Sequence, residues 1–192
     1  MADQWAPSGA ARAELTKDGV DGGLTAMLTG LGSLSYGELA GERMKLGLLM
    51  HDPEEEHDCF SDNTHNSHYY DVLGMRAVYL GEYKRRDGRW IRSRSLSSLV
   101  AQASPELDRE MRQRLDATFA AVQAIRERAE STEAYDQMIA EGNVQGNATV
   151  QAAIDALLAQ TKTLERVVAT LGLQPIQFEG SESLDDSAKV FE

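Results

Sequence analysis

Long apolar runs, cysteine, proline and balancing positive charge are all scarce in this chain, and each shortage excludes something. No uncharged apolar stretch approaches the roughly eighteen residues of a membrane-spanning helix, so a transmembrane protein is not expected. The single cysteine, Cys59, rules out an internal disulfide and leaves no redox-compartment signature. Four prolines in 192 residues leave long helices uninterrupted. Nineteen Lys and Arg against 31 Asp and Glu give a net charge of −12, which repels a phosphate backbone and argues against nucleic acid as a partner. What remains is the composition of a soluble globular chain, 42% hydrophobic and 26% charged, long enough to bury a core. Met1-Ala2-Asp3-Gln4-Trp5 has no basic region followed by an apolar stretch, so there is no signal peptide in this numbering. The chain therefore reads as cytoplasmic, or as one from which an export signal has been removed.

The dominant period is helical. Ser104-Pro105-Glu106 predicts a helix start, with an N-cap, a proline at the first helical position and an acid in the first turn. Leu107, Met111, Leu115, Phe119, Val122, Ile125 and Ala129 follow at steps of three or four, the stripe of a long amphipathic helix. Val150, Ile154, Leu157, Leu158, Leu164, Val168 and Leu171 form a second stripe, which Gly172 and Pro175 terminate. Ser35-Tyr36-Gly37-Glu38 reads as a capping box, predicting a helix from about Tyr36 to Met50 with Leu39, Leu46 and Met50 inward. Another helix is expected from Thr64 through Tyr79, stopping before the Asp87-Gly88 turn, with shorter pieces over 22–31, 96–103 and 132–140. Strand character is confined to residues 78–80 and 89–91. The expected fold is all-α: an antiparallel bundle of four long helices with short accessory helices over residues 1–173, followed by an acidic extension or flexible end over 174–192.

All four histidines fall between His51 and His68, with six acids and Cys59 in the same eighteen residues. Imidazole and carboxylate in that density are what zinc or iron requires, although a solvated acidic loop has the same composition. His65 and His68 lie three apart on one helical face, with Asp71 and Val72 one turn on. No His-Glu-x-x-His run accompanies them. Cys59 beside Phe60 reads as a small buried apolar residue, since neighbouring acids would discourage a thiolate. Glu38 and Glu42 share a helical face with Arg43 and Lys45 close enough to compensate them, and the interior glycines Gly37, Gly41 and Gly47 favour close packing or ligand approach on that side. The run from Lys84 to Arg94 carries six basic residues and one Trp; it reads as a counterweight to the acidic loop, with a phosphate or polyanion site as the alternative.

The stretches Leu31-Gly32-Ser33-Leu34-Ser35-Tyr36-Gly37-Glu38-Leu39-Ala40-Gly41-Glu42-Arg43-Met44 and Glu54-Glu55-Glu56-His57-Asp58-Cys59-Phe60-Ser61-Asp62-Asn63-Thr64-His65 resemble the imelysin family, in particular its iron-regulated members. Ala134-Tyr135-Asp136-Gln137-Met138-Ile139 and the segment from Val150 to Leu157 are similar to that family's C-terminal helices, and the likeness spans roughly Leu24 to Leu173. The resemblance implies an all-α protein of two similar bundle halves, of which this chain is similar to the second. It also implies export to the periplasm or outer membrane and a part in iron uptake. The family's Gly-x-His-x-x-Glu metal motif, carried by its first half, is absent here: none of the four histidines has that spacing. By the same resemblance Glu38, Glu42, Arg43, Asp62 and Asn63 line a ligand-binding cleft, and Glu56, His57 and His65 are the metal-ligand candidates, for iron or zinc. The expected role is binding of a metal ion or small ligand, with a metallopeptidase or a plain interaction module as alternatives. The missing half or a second copy would be the protein partner.

Overall fold

The computed structural model describes residues 2–191. After a short helix α1 (Ala10–Thr16), the chain enters α2 (Gly19–Ser33), which runs without interruption into a π-helical segment (Leu34–Lys45) and then α3 (Leu46–Met50). No helix begins at Ser35, contrary to the capping-box reading. Ser35 is fully buried in mid-helix, donating to the Leu157 carbonyl at 3.2 Å and accepting from Thr161 Oγ1 at 3.1 Å and Gln160 Nε2 at 3.2 Å. A Ser-x-x-Glu pattern marks a cap only where the backbone leaves the helix, and here it does not. The wider winding also changes which residues face inward: Leu39, Ala40, Met44 and Leu48 are buried, whereas Leu46 is half-buried and Met50 is exposed.

Residues 51–63 then form the acidic loop, followed by α4 (Thr64–Leu80). Gly81 takes the left-handed cap conformation (φ 65°) and opens a small antiparallel hairpin, β1 (Glu82–Lys84) and β2 (Trp90–Arg92), with Tyr83 opposite Ile91 and a turn at Gly88. Val78–Leu80 is thus the last turn of a helix rather than a strand. Next come α5 (Leu96–Ala103), α6 (Pro105–Ser131), α7 (Tyr135–Ile139) and α8 (Val144–Thr170). The Ser104 hydroxyl accepts from Leu107 N at 3.3 Å, so that predicted cap forms, and Gly172 ends α8 with φ 69°. The fold is predominantly α-helical.

The core follows from the two predicted stripes. Leu107, Met111, Leu115, Val122 and Ile125 of α6 meet Val150, Ile154, Leu157, Leu164 and Val168 of α8, while α4 covers α6 and the π segment covers α8. Each such side chain contributes about 1.5–3 kcal/mol when fully buried.

The C-terminal segment is docked, correcting the expectation of a free tail. Gly32, Gly37 and Gly41 make a bare strip on the α2–π helix, against which lie the Phe178 ring, the Glu179–Gly180 backbone and the Ser181 side chain; a Cβ at any of the three would overlap them. Ser181 and Ser183 are buried, the Ser183 hydroxyl donates to the Gly41 carbonyl at 3.0 Å, and Tyr36 donates to Asp185. A short helix α9 (Glu182–Asp185) completes the contact.

Candidate functional site

The acidic loop is bracketed by His51 (φ 54°) and Asp62 (φ 49°), the two non-glycine residues with positive φ among the described residues. His and Asp tolerate this region better than most residues, so such positions reward inspection. His51 ends α3 and its Nδ1 donates to the Ile139 carbonyl at 2.7 Å, tying the loop to α7. At the other end Thr64, buried at the start of α4, accepts from Asp58 N at 2.9 Å, and Ser67 hydrogen-bonds Asp58 Oδ2. Loop, α3, α7 and the first turns of α4 therefore meet at one end of the molecule.

Four polar side chains at this end leave hydrogen bonds unfinished. Glu56 Oε2, His65 Nδ1, both ring nitrogens of His68 and the Tyr135 hydroxyl are buried and unpartnered; they are five of the seven such atoms among the described residues. His68 is fully enclosed and meets the edge of Tyr135 with ring centroids 5.3 Å apart. Burial pushes the His68 imidazole down to about 3, and the charges of His57 and Arg43 push the same way; the Arg43 backbone opposes them without meeting the geometry of a full hydrogen bond, and the ring is neutral at physiological pH. Burial raises the Glu56 carboxyl; the Thr64 hydroxyl opposes that shift, and the carboxylates of Asp136, Asp62 and Asp58 reinforce it. The Tyr135 phenol is raised as well, by burial first and by Glu56 second.

An ion-pair triad borders this cluster. Arg43, on the π segment, donates from Nη1 to Asp71 Oδ2 at 2.8 Å and from Nη2 to Glu38 Oε2 at 3.2 Å. Asp71 is nevertheless shifted upward, because desolvation outweighs the stabilisation from Arg43. π-Helical segments occur often at functional sites, where the altered winding turns a side chain away from the regular helical face.

Among the residues expected to form the site, Glu38 and Arg43 are joined, and Glu56 sits in the buried cluster with His65 beside it. His57 and Glu42 are exposed, Asp62 is an exposed loop residue, and Asn63 is engaged by Asn66 Nδ2 at 2.8 Å. Cys59 is exposed, as is Phe60, so the reading of a buried apolar cysteine is corrected: the loop carries both outward. His68, Thr64 and Tyr135 also belong to the cluster, and Asp71 to its border, beyond the residues that the sequence suggests. The signal for His68 and Asp71 was the three-residue step His65, His68, Asp71 along one face of α4. Tyr135 is 67 positions from His68 in the chain, so no spacing rule could pair them.

The metal expected from the family resemblance meets a specific difficulty. Among the described residues no three His, Cys, Asp or Glu side chains converge closely enough to hold a metal ion. Glu56, His57 and His65 in particular divide between an enclosed carboxylate, an exposed imidazole and a half-buried one. A structural or catalytic zinc needs at least three protein ligands, which these side chains would have to be brought together to supply.

An all-α fold, a helix that widens into a π segment and a buried Glu/His/Tyr cluster beneath an acidic loop together define a helical domain with one candidate site. The chain belongs to the imelysin family, whose model matches residues 1–164. No curated protein matches the chain. No helix among the described residues is long and apolar enough to cross a membrane.

Proposed function

We propose that this imelysin domain is a periplasmic ligand-binding module of iron uptake, in which the acidic loop opens to admit a ligand to Glu56, His65, His68 and Tyr135. The observation that carries the reading is the concentration of unpartnered buried polar atoms at this one place. Each such atom costs about 1–3 kcal/mol when left without a partner, and a chain selected only for stability has no reason to collect them. A bound ligand would supply the missing partners.

Chemistry narrows that ligand. The Tyr135 phenol is a donor, neutral His68 offers one donor and one acceptor, and Glu56 offers an acceptor or, when protonated, a donor. Because no three protein donors converge on one point, iron would come as a complex that brings its own ligands, with the protein hydrogen-bonding the outer oxygens of that complex. Arg43, already paired with both Glu38 and Asp71, fixes the border of the site in place without adding free positive charge. A metallopeptidase would need three protein ligands and an open coordination position, which this donor set does not assemble, so binding is the better-supported activity.

Calorimetric titration of metal-stripped protein tests the reading, with ferric citrate, Fe(II) and Zn(II) as probes. One-to-one binding of ferric citrate that is weakened roughly tenfold by Tyr135→Phe and by His68→Gln is expected, one lost hydrogen bond to a charged group being worth about 1.5 kcal/mol. Binding of the bare ions instead would restore the metal-ligand role of Glu56, His57 and His65. A well-folded sample that binds none of the three probes would overturn the proposal.

A further inference from the structure

At the other end of α4 the molecule changes character. The hairpin and its flanks, residues 82–94, hold six of the chain's 19 Lys and Arg but two of its 31 acids. Asp87 pairs with Arg85 and Arg89, and Glu82 pairs with Arg92, leaving Lys84, Arg86 and Arg94 without a carboxylate in salt-bridge range among the described residues. Trp90 is half exposed, with the Lys84 and Arg92 cations 5.9 and 5.4 Å from its ring centroid.

The same hairpin walls an open groove of about 1130 Å³, with Leu24 and Met27 of α2, Val78 of α4 and Leu99 of α5 as its other apolar sides. Tyr83 and Ile91, paired across the two strands, face this groove and are 58% and 49% exposed, whereas the next pair, Lys84 and Trp90, lies on the hairpin's other face; Val78 and Leu99 are also exposed. Arg94 stands at the edge. The groove lining carries one cation, Arg94, and one acid, Glu82, while Arg85 and Arg86 lie beside Tyr83 and Ile91 near the hairpin turn; a grouped apolar set with cations at one side calls for an explanation that isolated exposed apolar residues do not.

We propose that the hairpin and the groove beside it form a binding face for an anionic lipid surface. A hairpin that enters edge-on places both its faces, Tyr83 and Ile91 on one and Trp90 on the other, among the upper acyl carbons and its cations against headgroup phosphates, as such side chains settle at a lipid–water boundary. Charge complementarity selects this occupant over the alternatives. A second copy docking through the same face by two-fold symmetry would set the two sets of cations against each other. A nucleic acid would find one stacking ring and an apolar groove it cannot use. The acids elsewhere in the chain do not forbid the contact, because a planar surface senses charge mainly within a Debye length of about 8 Å. Their repulsion instead orients the molecule with the hairpin down. The seventeen residues of α4 separate the hairpin from the loop cluster by about 25 Å, so the bound protein would hold its candidate site away from the lipid.

Vesicle flotation with the full chain tests this, using neutral phosphatidylcholine vesicles and vesicles containing one-third phosphatidylglycerol. Trp5→Phe leaves Trp90 as the only tryptophan reporter. The expected result is capture by the anionic vesicles at low salt, a blue-shifted Trp90 emission, and loss in 0.5 M salt. Arg86→Glu with Arg94→Glu should reduce the bound fraction by roughly tenfold or more, and Ile91→Ser should reduce both capture and the spectral shift. These side chains are surface residues, and unchanged circular dichroism verifies that the variants fold. No capture by any vesicle, capture unchanged in the hairpin variants, or equal binding to dextran sulfate with Trp90 emission unmoved would each overturn the proposal; the last would assign a simple polyanion patch.

Discussion

Tyr79 and Tyr135 are both enclosed phenols in the same helical core, yet their hydroxyls are treated in opposite ways. Tyr79 donates to Asp108 Oδ1 at 3.1 Å; Ser97 donates to the same oxygen at 2.5 Å, and Arg112 donates to Asp108 Oδ2 at 2.8 Å and to the Ser97 hydroxyl at 2.6 Å. That network joins α4, α5 and α6. Tyr135, packed against His68 and near Glu56, has no partner at all. A buried polar group with its hydrogen bonds complete locks neighbouring elements together, whereas one left incomplete destabilises the fold until something binds it. The difference separates a completed buried polar network from an incomplete one within a single chain.

The largest effect should come from cutting the completed network. Asp108→Ala removes the acceptor shared by Tyr79, Ser97 and Arg112 and should lower unfolding stability by roughly 3 kcal/mol, read from the urea midpoint. A loss under 1 kcal/mol would mean that the network adds little and that the contrast fails on its structural side.

The docked tail shares the completed character of that network, and Gly37→Ala tests it. A Cβ there meets the Glu179 and Gly180 carbonyls, so the strand of tail must move, at about 1–3 kcal/mol, and limited proteolysis should begin to cut within residues 174–191. An unchanged cleavage pattern would show that the tail can shift without leaving.

Tyr135→Phe should act with the opposite sign to Asp108→Ala. Deleting an unsatisfied hydroxyl should leave stability unchanged or raise it by about 1 kcal/mol while weakening ligand binding. Clear destabilisation by thermal melting would place a hidden partner on that hydroxyl and erase the contrast.

The smallest effect is a pH dependence of the tail. Its hydrogen bond to Asp185, with burial reinforcing it, raises the Tyr36 phenol to about 12, from about 10 in the unfolded chain. The folded form holds the proton more tightly, so the contribution is complete below pH 10 and is lost as pH rises from 10 through 12. Protease sensitivity of the tail should increase across that window in the native chain, and Tyr36→Phe should remove the Tyr36-linked part of the dependence.

Much of this architecture is local and could be read in advance. Ser104, Pro105 and Gly172 set helix ends through capping chemistry confined to a few residues, and the stripes on α6 and α8 need only a helical period to be recognised. The hairpin was half legible, since Asp87-Gly88 announces a turn but helix α4 absorbs Val78–Leu80. Within the candidate site Glu56, His65, Glu38 and Arg43 stood out by composition and family resemblance. His68 stood out only as a neighbour of His65, because being neutral and fully enclosed is a property of its surroundings.

The sequence by itself determined an all-α chain, its two long amphipathic helices, its acidic histidine-rich loop and its membership of a family, since each depends on residues close together or on extended motifs. Tertiary structure alone decided that Ser35 lies inside a continuous helix, that the tail fills the glycine strip, and that Tyr135 meets His68 beneath the loop. Those outcomes depend on which faces meet across long separations in the chain, where burial sets which polar groups find partners and which are left waiting for one.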